Sequence, residues 1–397
     1  LCLILNTSLS YRENFSGAVL KTLENFSNEY NKLYQELLST GEGTNIVRPP
    51  LRVSKWMKIP VLTEISGKIL QRGVQGETAN ELQELIESES KVVLHDETVT
   101  HQEDLLDHEA YAQIVYLLLT TTWILSWLPL VKKESNYSIY DDEQNKTIKV
   151  STVDKLRYNW SFLENGRQAI NFTPDGTDIV QYNIYLALNS EKIGEFNNII
   201  HNFESIRDKT LLALRYELRC KAVYFVTMSF KHVDWCPVTE PGDADHFIVN
   251  LNQEIFAMDN KLSKTVSDIE RESIFLGFSQ FLNDLIITRS KAVRKINSNG
   301  IKRILLNIST VQQMLRNLSS NPETIDFTKA SEYFEMFTMN EFNLLRFIKS
   351  KRDNYTKDAY HTLARLIYSE KLADGNGSLF NKGKYNDLIK KIDGIFD

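Results

Sequence analysis

Proline and glycine are scarce. The 397 residues hold 8 prolines and 16 glycines, well under the usual shares of about 5% and 7%. No proline occurs from Val61 to Leu128 or from Gly242 to Asn321. Runs that long without a breaker exclude many short strands joined by tight turns, and they favour long helices. Cysteine is nearly absent. Cys2, Cys220 and Cys236 form no pattern, which excludes a disulfide framework and fits a reducing compartment. The net charge of -6 excludes a dedicated nucleic-acid binder. Catalytic signatures are missing too: there is no G-x-S-x-G elbow, no H-E-x-x-H and no G-x-G-x-x-G. "GSLFNKGKY" (Gly377 to Tyr385) has only the outline of a phosphate loop. Its glycines are one residue too far apart, and Tyr385 stands where a magnesium-holding Ser or Thr belongs. It reads as a flexible tail, and no cofactor is expected.

What is present is ordinary for a soluble globular protein, with 42% hydrophobic and 25% charged residues. The length suits two to three domains of roughly 150 residues. Composition breaks divide it into residues 1–131, 132–250 and 251–397. The chain begins "LCLILNTSLS", without methionine, and reads as a fragment or a processed chain. Eleven Asn-x-Ser/Thr sequons occur. Asn25 and Asn317 fall in amphipathic runs where a glycan would meet packing partners, so the sequons read as chance.

Periodicity supplies the elements. Val19, Leu23, Phe26, Tyr30, Leu33 and Leu37 alternate at spacings of four and three, the seam of a coiled coil or long bundle helix. They are candidates for packing against a partner. "ETANELQELIES" starts another helix, with Thr78 as its cap and Glu81 in capping-box position. Tyr111 to Val131 carries no charge over 21 residues, long enough to span a bilayer. Three consecutive threonines, Pro129 and an acidic flank favour instead a helix buried on all faces. Residues 132–149 read as a polar excursion loop. The helical pattern from Ile179 to His232 carries an expected break near Gly194. "DWCPVTEPGDADH" is a breaker cluster, and long amphipathic segments with short polar links follow it. Antiparallel helices result.

Two short stretches share a plan: "FTMNEFNLL" from Phe337 and "YTKDAY" from Tyr355. With Thr338 as N-cap, Glu341 reaches back to close a capping box, and Phe337 and Phe342 form a hydrophobic staple. Tyr355, Thr356 and Tyr360 occupy the same positions in the second stretch. Both read as helix corners rather than the lip of an active site.

Two histidine groupings hold possible metal ligands. His101, Asp104 and His108 recur at helical spacing, but Glu103, Asp107 and Glu109 around them make an acidic, solvated face the favoured reading over a metal site. His232, Asp234, Cys236 and His246 flank a proline-containing loop; as a zinc site they would mark an enzyme, but one cysteine and irregular spacing favour a plain surface loop, and no metal is expected. Acidic residues are absent from Leu285 to Pro322, while Arg289, Lys291, Arg294, Lys295, Lys302, Arg303 and Arg316 are present. That stretch suits anionic lipid headgroups or an acidic partner, or a solvated face paired with acidic helices.

The ordered series "LLALRYELRCKAVYFV", "LNQEIFAMDNKLS", "SKAVRKINSNGIKRILLNISTVQQMLRNLS" and "IDFTKASEYFEMFTMNEFNLLRFI" resembles the C-terminal half of the Sec-eight type subunit family of the exocyst. "YTKDAYHTLARLIYSEKL" continues the series. The resemblance runs from about Thr210 to Leu372 and rests on packing motifs rather than catalytic ones. It implies an all-α fold, an elongated rod of stacked antiparallel helical bundles. It also implies a non-enzymatic subunit of a hetero-octamer that holds secretory vesicles at the plasma membrane before SNARE-mediated fusion. Such a subunit would be cytoplasmic and peripherally membrane-associated, with small GTPases and SNARE machinery as indirect partners and no nucleic acid. A helical-rod subunit of a Golgi or endosomal tether is the competing expectation.

Overall fold

The computed structural model describes residues 9–38, 51–75, 79–96, 100–135, 190–373 and 378–396. Every regular element among them is helical. The expected cap Thr78 and the polar stretch 136–149 lie outside the described residues, as does the patterned segment 151–189. The chain gathers into two units that are discontinuous in sequence. One unit comprises the described residues within 1–37 and 116–210, the other those within 38–115 and 211–397. Helices α5 (His108–Ser135) and α6 (Ser190–His232) contribute to both. Helix α6 runs unbroken through Gly194, against the expected break. A lone glycine costs a helix only about 1 kcal/mol, and Phe196, Ile199 and Phe203 repay it by burial.

The first unit packs α1 (Leu9–Leu38) against parts of α5 and α6. Leu20, Leu128, Phe196, Ile199 and Phe203 form its core, with Leu23, Tyr30, Ile124 and Leu125 against them. The Tyr30 ring meets Phe203 edge-on at 6.1 Å. The expected seam of α1 divides. Leu23 and Tyr30 turn inward beside Leu20, Ser27 and Tyr34. Val19 and Leu37 are half-buried, while Phe26 and Leu33 stand 52% and 41% exposed. The inward stripe keeps Leu23 and Tyr30 but pairs them with 20, 27 and 34, each one residue past 19, 26 and 33.

Helix α5 is not buried on all faces. Ile114, Val115, Leu117, Leu118 and Thr121 are buried, but Tyr116, Leu119 and Trp123 are exposed. Its threonines sit quietly in an apolar helix because the Thr120 and Thr121 hydroxyls donate to the carbonyls of Tyr116 and Leu117, 2.9 and 2.8 Å away. By length and composition the segment Gln102–Leu128 passes for a membrane span, alone among the described residues.

In the second unit, α3 (Pro60–Gln75) and α4 (Ala79–His95) form a hairpin. Proline at the first position of α3 loses no helical hydrogen bond. Helix α2 (Arg52–Trp56) precedes them, and α8 (Asp268–Phe275) and α9 (Phe278–Arg289) pack on the hairpin. A capping box, Ser267 with Glu270, opens α8. Gly277 then turns the chain with φ 75°, where any Cβ would lie 2.6 Å from Ile86. Helices α7 (His246–Leu262) and α10 (Ser298–Leu318) pair. Asn297 caps α10 by accepting from the Gly300 N–H. Gly300 is required there, because an added Cβ would sit 1.9 Å from the Trp235 carbonyl.

The C-terminal part holds α11 (Thr328–Glu335), α12 (Glu341–Ser350), α13 (Lys357–Ala373) and α14 (Ser378–Phe396). The corner at "FTMNEFNLL" exists, but its chemistry differs from expectation. Asn340, not Thr338, caps α12, accepting from the Asn343 N–H at 2.9 Å. Thr338 closes a short 3-10 turn and donates to the Glu335 carbonyl. Glu341 pairs with Lys391 of α14 instead of reaching back. Phe342 is 74% exposed, so it staples nothing to Phe337. That 3-10 turn moves the start of α12 two residues along, and the side-chain directions move with it.

The second corner is as expected. The Thr356 hydroxyl accepts from the Ala359 N–H, and the buried Tyr355 and Tyr360 meet at 5.5 Å. Their hydroxyls donate to the carbonyls of Lys329 and Lys351. The "GSLFNKGKY" tail is helical from Ser378 onward. Leu388 and Ile392 bury against α12 and α13, so the expectation of a flexible tail is corrected.

Candidate functional site

Helix α6 contains "LALRYELRCKAV" (Leu212–Val223). Arg215, Glu217, Arg219 and Lys221 are all enclosed, with exposures of 0%, 0%, 0% and 5%. Positions i and i+4 share a helix face, and a two-residue offset is about 200°. Arg215 and Arg219 therefore face one way, and Glu217 and Lys221 the other.

On the first face stands Glu89 of α4, 1% exposed. Arg215 grips it with both nitrogens, Nε to Oε1 at 2.8 Å and a terminal nitrogen to Oε2 at 2.7 Å. Arg219 approaches Oε2 at 3.0 Å, and Ser66 of α3 donates to Oε1 at 2.6 Å. Arg215 also donates to the carbonyls of Ser273 and Leu276, where α8 ends. Burial alone would raise the Glu89 carboxyl. The two guanidinium charges and the donated hydrogen bonds overcome it and hold the group down at about 2. The network ties α3, α4, α6 and the turn after α8 into one register.

On the opposite face, Glu217 accepts from the Leu106 N–H at 3.1 Å. Lys221 lies 3.8 Å from Glu217 and 2.6 Å from Glu254 of α7. Burial pushes the Glu217 carboxyl up to about 7, against the pull of Lys221. A third buried cluster joins three helices: Ser229 and Asn307 both donate to Asp245, which caps α7. At the edge of α2, Arg52 pairs with Asp96 at 2.5 Å, and the Trp56 indole donates to the same oxygen.

Composition and motif searches miss these groups, because charge on a helix ordinarily means a solvated face. The available signal was the apolar company. Leu211 to Val223 carries Leu, Ala, Tyr, Cys and Val on every side, so charges within it have no route to water.

The two histidine groupings do not assemble. Among the described residues no three His, Cys, Asp or Glu side chains gather for a metal. His101 and His108 share no helix face, since the 3-10 turn at Gln102–Asp104 ends before α5 begins. The Asp104 carboxylate accepts from the His101 N–H, and exposed His108 lies 3.6 Å from Glu254. In the 232–246 loop, Asp234 accepts from the Cys236 N–H, and His246 packs on Phe247 at 3.9 Å. Burial raises the thiols of Cys220 and Cys236, the opposite of an activated nucleophile.

The basic residues fall at the end of α9 (Arg289), in and after the following 3-10 turn (Lys291, Arg294, Lys295), and on the first turns of α10 (Lys302, Arg303). Lys302 pairs with Glu240 at 3.0 Å, and Arg303 donates to the Asp234 carbonyl. Asn25 and Asn317 are exposed, so packing is no obstacle to a glycan there. A cleft of about 280 Å³ opens between α8, α9 and the end of α10. Its one arginine, Arg271, is held by Asp259 and the Leu318 carbonyl.

No protein-family model matches the chain. Curated relatives do. The chain is 27% identical over 207 residues to exocyst complex component 4 of Homo sapiens, covering 51% of this chain and 21% of that protein. It is 25% identical over 193 residues to exocyst complex component 4 of Dictyostelium discoideum, covering 48% and 16%. It is 22% identical over 249 residues to exocyst complex component sec8 of Schizosaccharomyces pombe, covering 60% and 23%. The matched region thus spans about a fifth of each relative's length. Over about half of its length the chain is thus similar to exocyst component 4 (Sec8) proteins from animal, amoeba and yeast.

Proposed function

We propose that this chain is a non-enzymatic scaffold subunit of the exocyst, holding secretory vesicles at the plasma membrane before SNARE-mediated fusion. The observation that carries the reading is the set of relatives, each named as the same exocyst component and each matched over about half of this chain. The use of charge supports it. Arg215, Glu217, Arg219 and Glu89 are enclosed and join neighbouring segments. On this reading the helices stack into an elongated rod in the cytoplasm, peripherally at sites of polarised secretion. Partners are the other subunits of a hetero-octamer, with GTPases and SNAREs reached through them. The outward stripe Phe26 and Leu33 on α1 is a packing seam for such a subunit. The cations at Lys291, Arg294 and Lys295, all exposed, lie against an acidic partner or lipid.

Rapid depletion of the protein in cells tests the tethering role. Secretory vesicles should accumulate unfused beneath the plasma membrane, and cargo release should fall. Golgi or endosomal fragmentation with normal vesicle fusion would support a different tether instead.

A further inference from the structure

Glu217 is surrounded by too much negative charge for its setting. It is wholly enclosed. One carboxyl oxygen accepts from the Leu106 N–H, and the other meets no hydrogen-bond partner. The nearest cation, Lys221, is 3.8 Å away and lies closer to Glu254, at 2.6 Å. From α5, Tyr111 faces the same space, but its hydroxyl donates to the Met258 carbonyl at 3.4 Å. Asp259 of α7 lies beyond Tyr111 and is engaged by Arg271. Cys220, next on α6, is held as the neutral thiol by burial. His108 is exposed and lies beside Glu254, not Glu217.

Two carboxylates therefore share one ammonium. The site needs one proton to be neutral, since an unpaired buried charge costs several kcal/mol. Glu254 keeps its side chain 24% exposed and is solvated, so the proton falls on Glu217. We propose that Glu217 is a proton-operated latch on the segment Leu106–Tyr111, which includes the first turn of α5. With its proton, the α6 face closes over that segment. Without it, water enters and the segment opens. The latch rests on the enclosed charges alone and stands apart from the exocyst reading.

The sign follows from linkage. Glu217 titrates at about 7 when enclosed and near 4.5 when open. The closed form therefore binds more protons between those values, and closure weakens as pH rises. From pH 6 to pH 8, ionisation favours the open form roughly a hundredfold and the closed form roughly tenfold. The net gain in opening is about tenfold.

Hydrogen exchange of the full chain at pH 6 and pH 8, corrected for intrinsic rates, reads this directly in peptides spanning residues 100–111. The wild type should open about tenfold more at pH 8, and Glu217→Gln should show no such rise. Glu254→Gln frees Lys221 for Glu217, so it should move the rise to lower pH. Equal protection at both pH values in the wild type would overturn the proposal. So would a wild-type rise in Glu217→Gln, or its loss in His108→Gln, which would make the histidine the sensor. If Glu217→Gln does not fold, an unchanged rise in Glu254→Gln is decisive against it.

Discussion

Removing Glu89 should unfasten the centre of the second unit. The carboxylate receives two bonds from Arg215, one from Ser66 and an ion pair from Arg219, all within 3.0 Å. Glu89→Ala leaves two fully enclosed guanidinium groups without a counter-charge. Only the carbonyls of Ser273, Ile274 and Leu276 remain for Arg215. Breaking a buried pair from one side costs about 3–5 kcal/mol. The carboxyl's own titration gives a similar size. A fall from 4.5 to about 2, at 1.36 kcal/mol per unit, is roughly 3 kcal/mol. The unfolded chain binds the proton more readily, so this stabilisation is full above about pH 4.5 and is lost as pH falls toward 2. Urea unfolding followed by circular dichroism measures the loss, and hydrogen exchange should place it in α4 and α6. A loss under about 1 kcal/mol, the size of an exposed pair, would refute the reasoning. The triple change Glu89→Leu, Arg215→Met, Arg219→Leu should recover most of the stability, because the desolvation cost then disappears with the charges.

Other expectations follow from single positions. Asn340→Ala should cost about 1 kcal/mol while Thr338→Ala costs a few tenths, and thermal melts of the two distinguish the observed cap from the one the sequence suggests. Gly300→Ala should sharply lower the melting temperature, since its Cβ meets the Trp235 carbonyl at 1.9 Å; Gly242→Ala, with nothing within 4 Å, should leave it unchanged. Tyr355→Phe removes the bond to the Lys329 carbonyl and should cost about 1 kcal/mol by urea titration. High-salt or carbonate washing should release the protein from membranes without detergent; retention until detergent is added would assign Tyr111–Val131 to the bilayer.

Helical character was legible because it rests on sums over many residues. The missing prolines, the stripes in α1 and α10, and the Thr356 cap with its tyrosine staple all reflect local spacing. Errors arose where one turn of phase decided the outcome. Thr338 lost its cap to Asn340 because a 3-10 turn intervened. Half of the α1 seam, 19, 26 and 33, gave way to the next residue in each turn. The 43-residue helix α6 ran through Gly194 because tertiary burial outweighs one weak position. The buried charges were hidden for another reason. Whether Arg215 meets water or Glu89, 126 positions away, is decided by the tertiary fold, and local patterning says only that its neighbours are apolar.

The most direct measurement is the partner list of the tagged full-length protein, purified from cells under gentle conditions and quantified by mass spectrometry. Other exocyst subunits should co-purify in near-equal amounts. Recovery of Golgi or endosomal tether components without exocyst subunits would contradict the assignment.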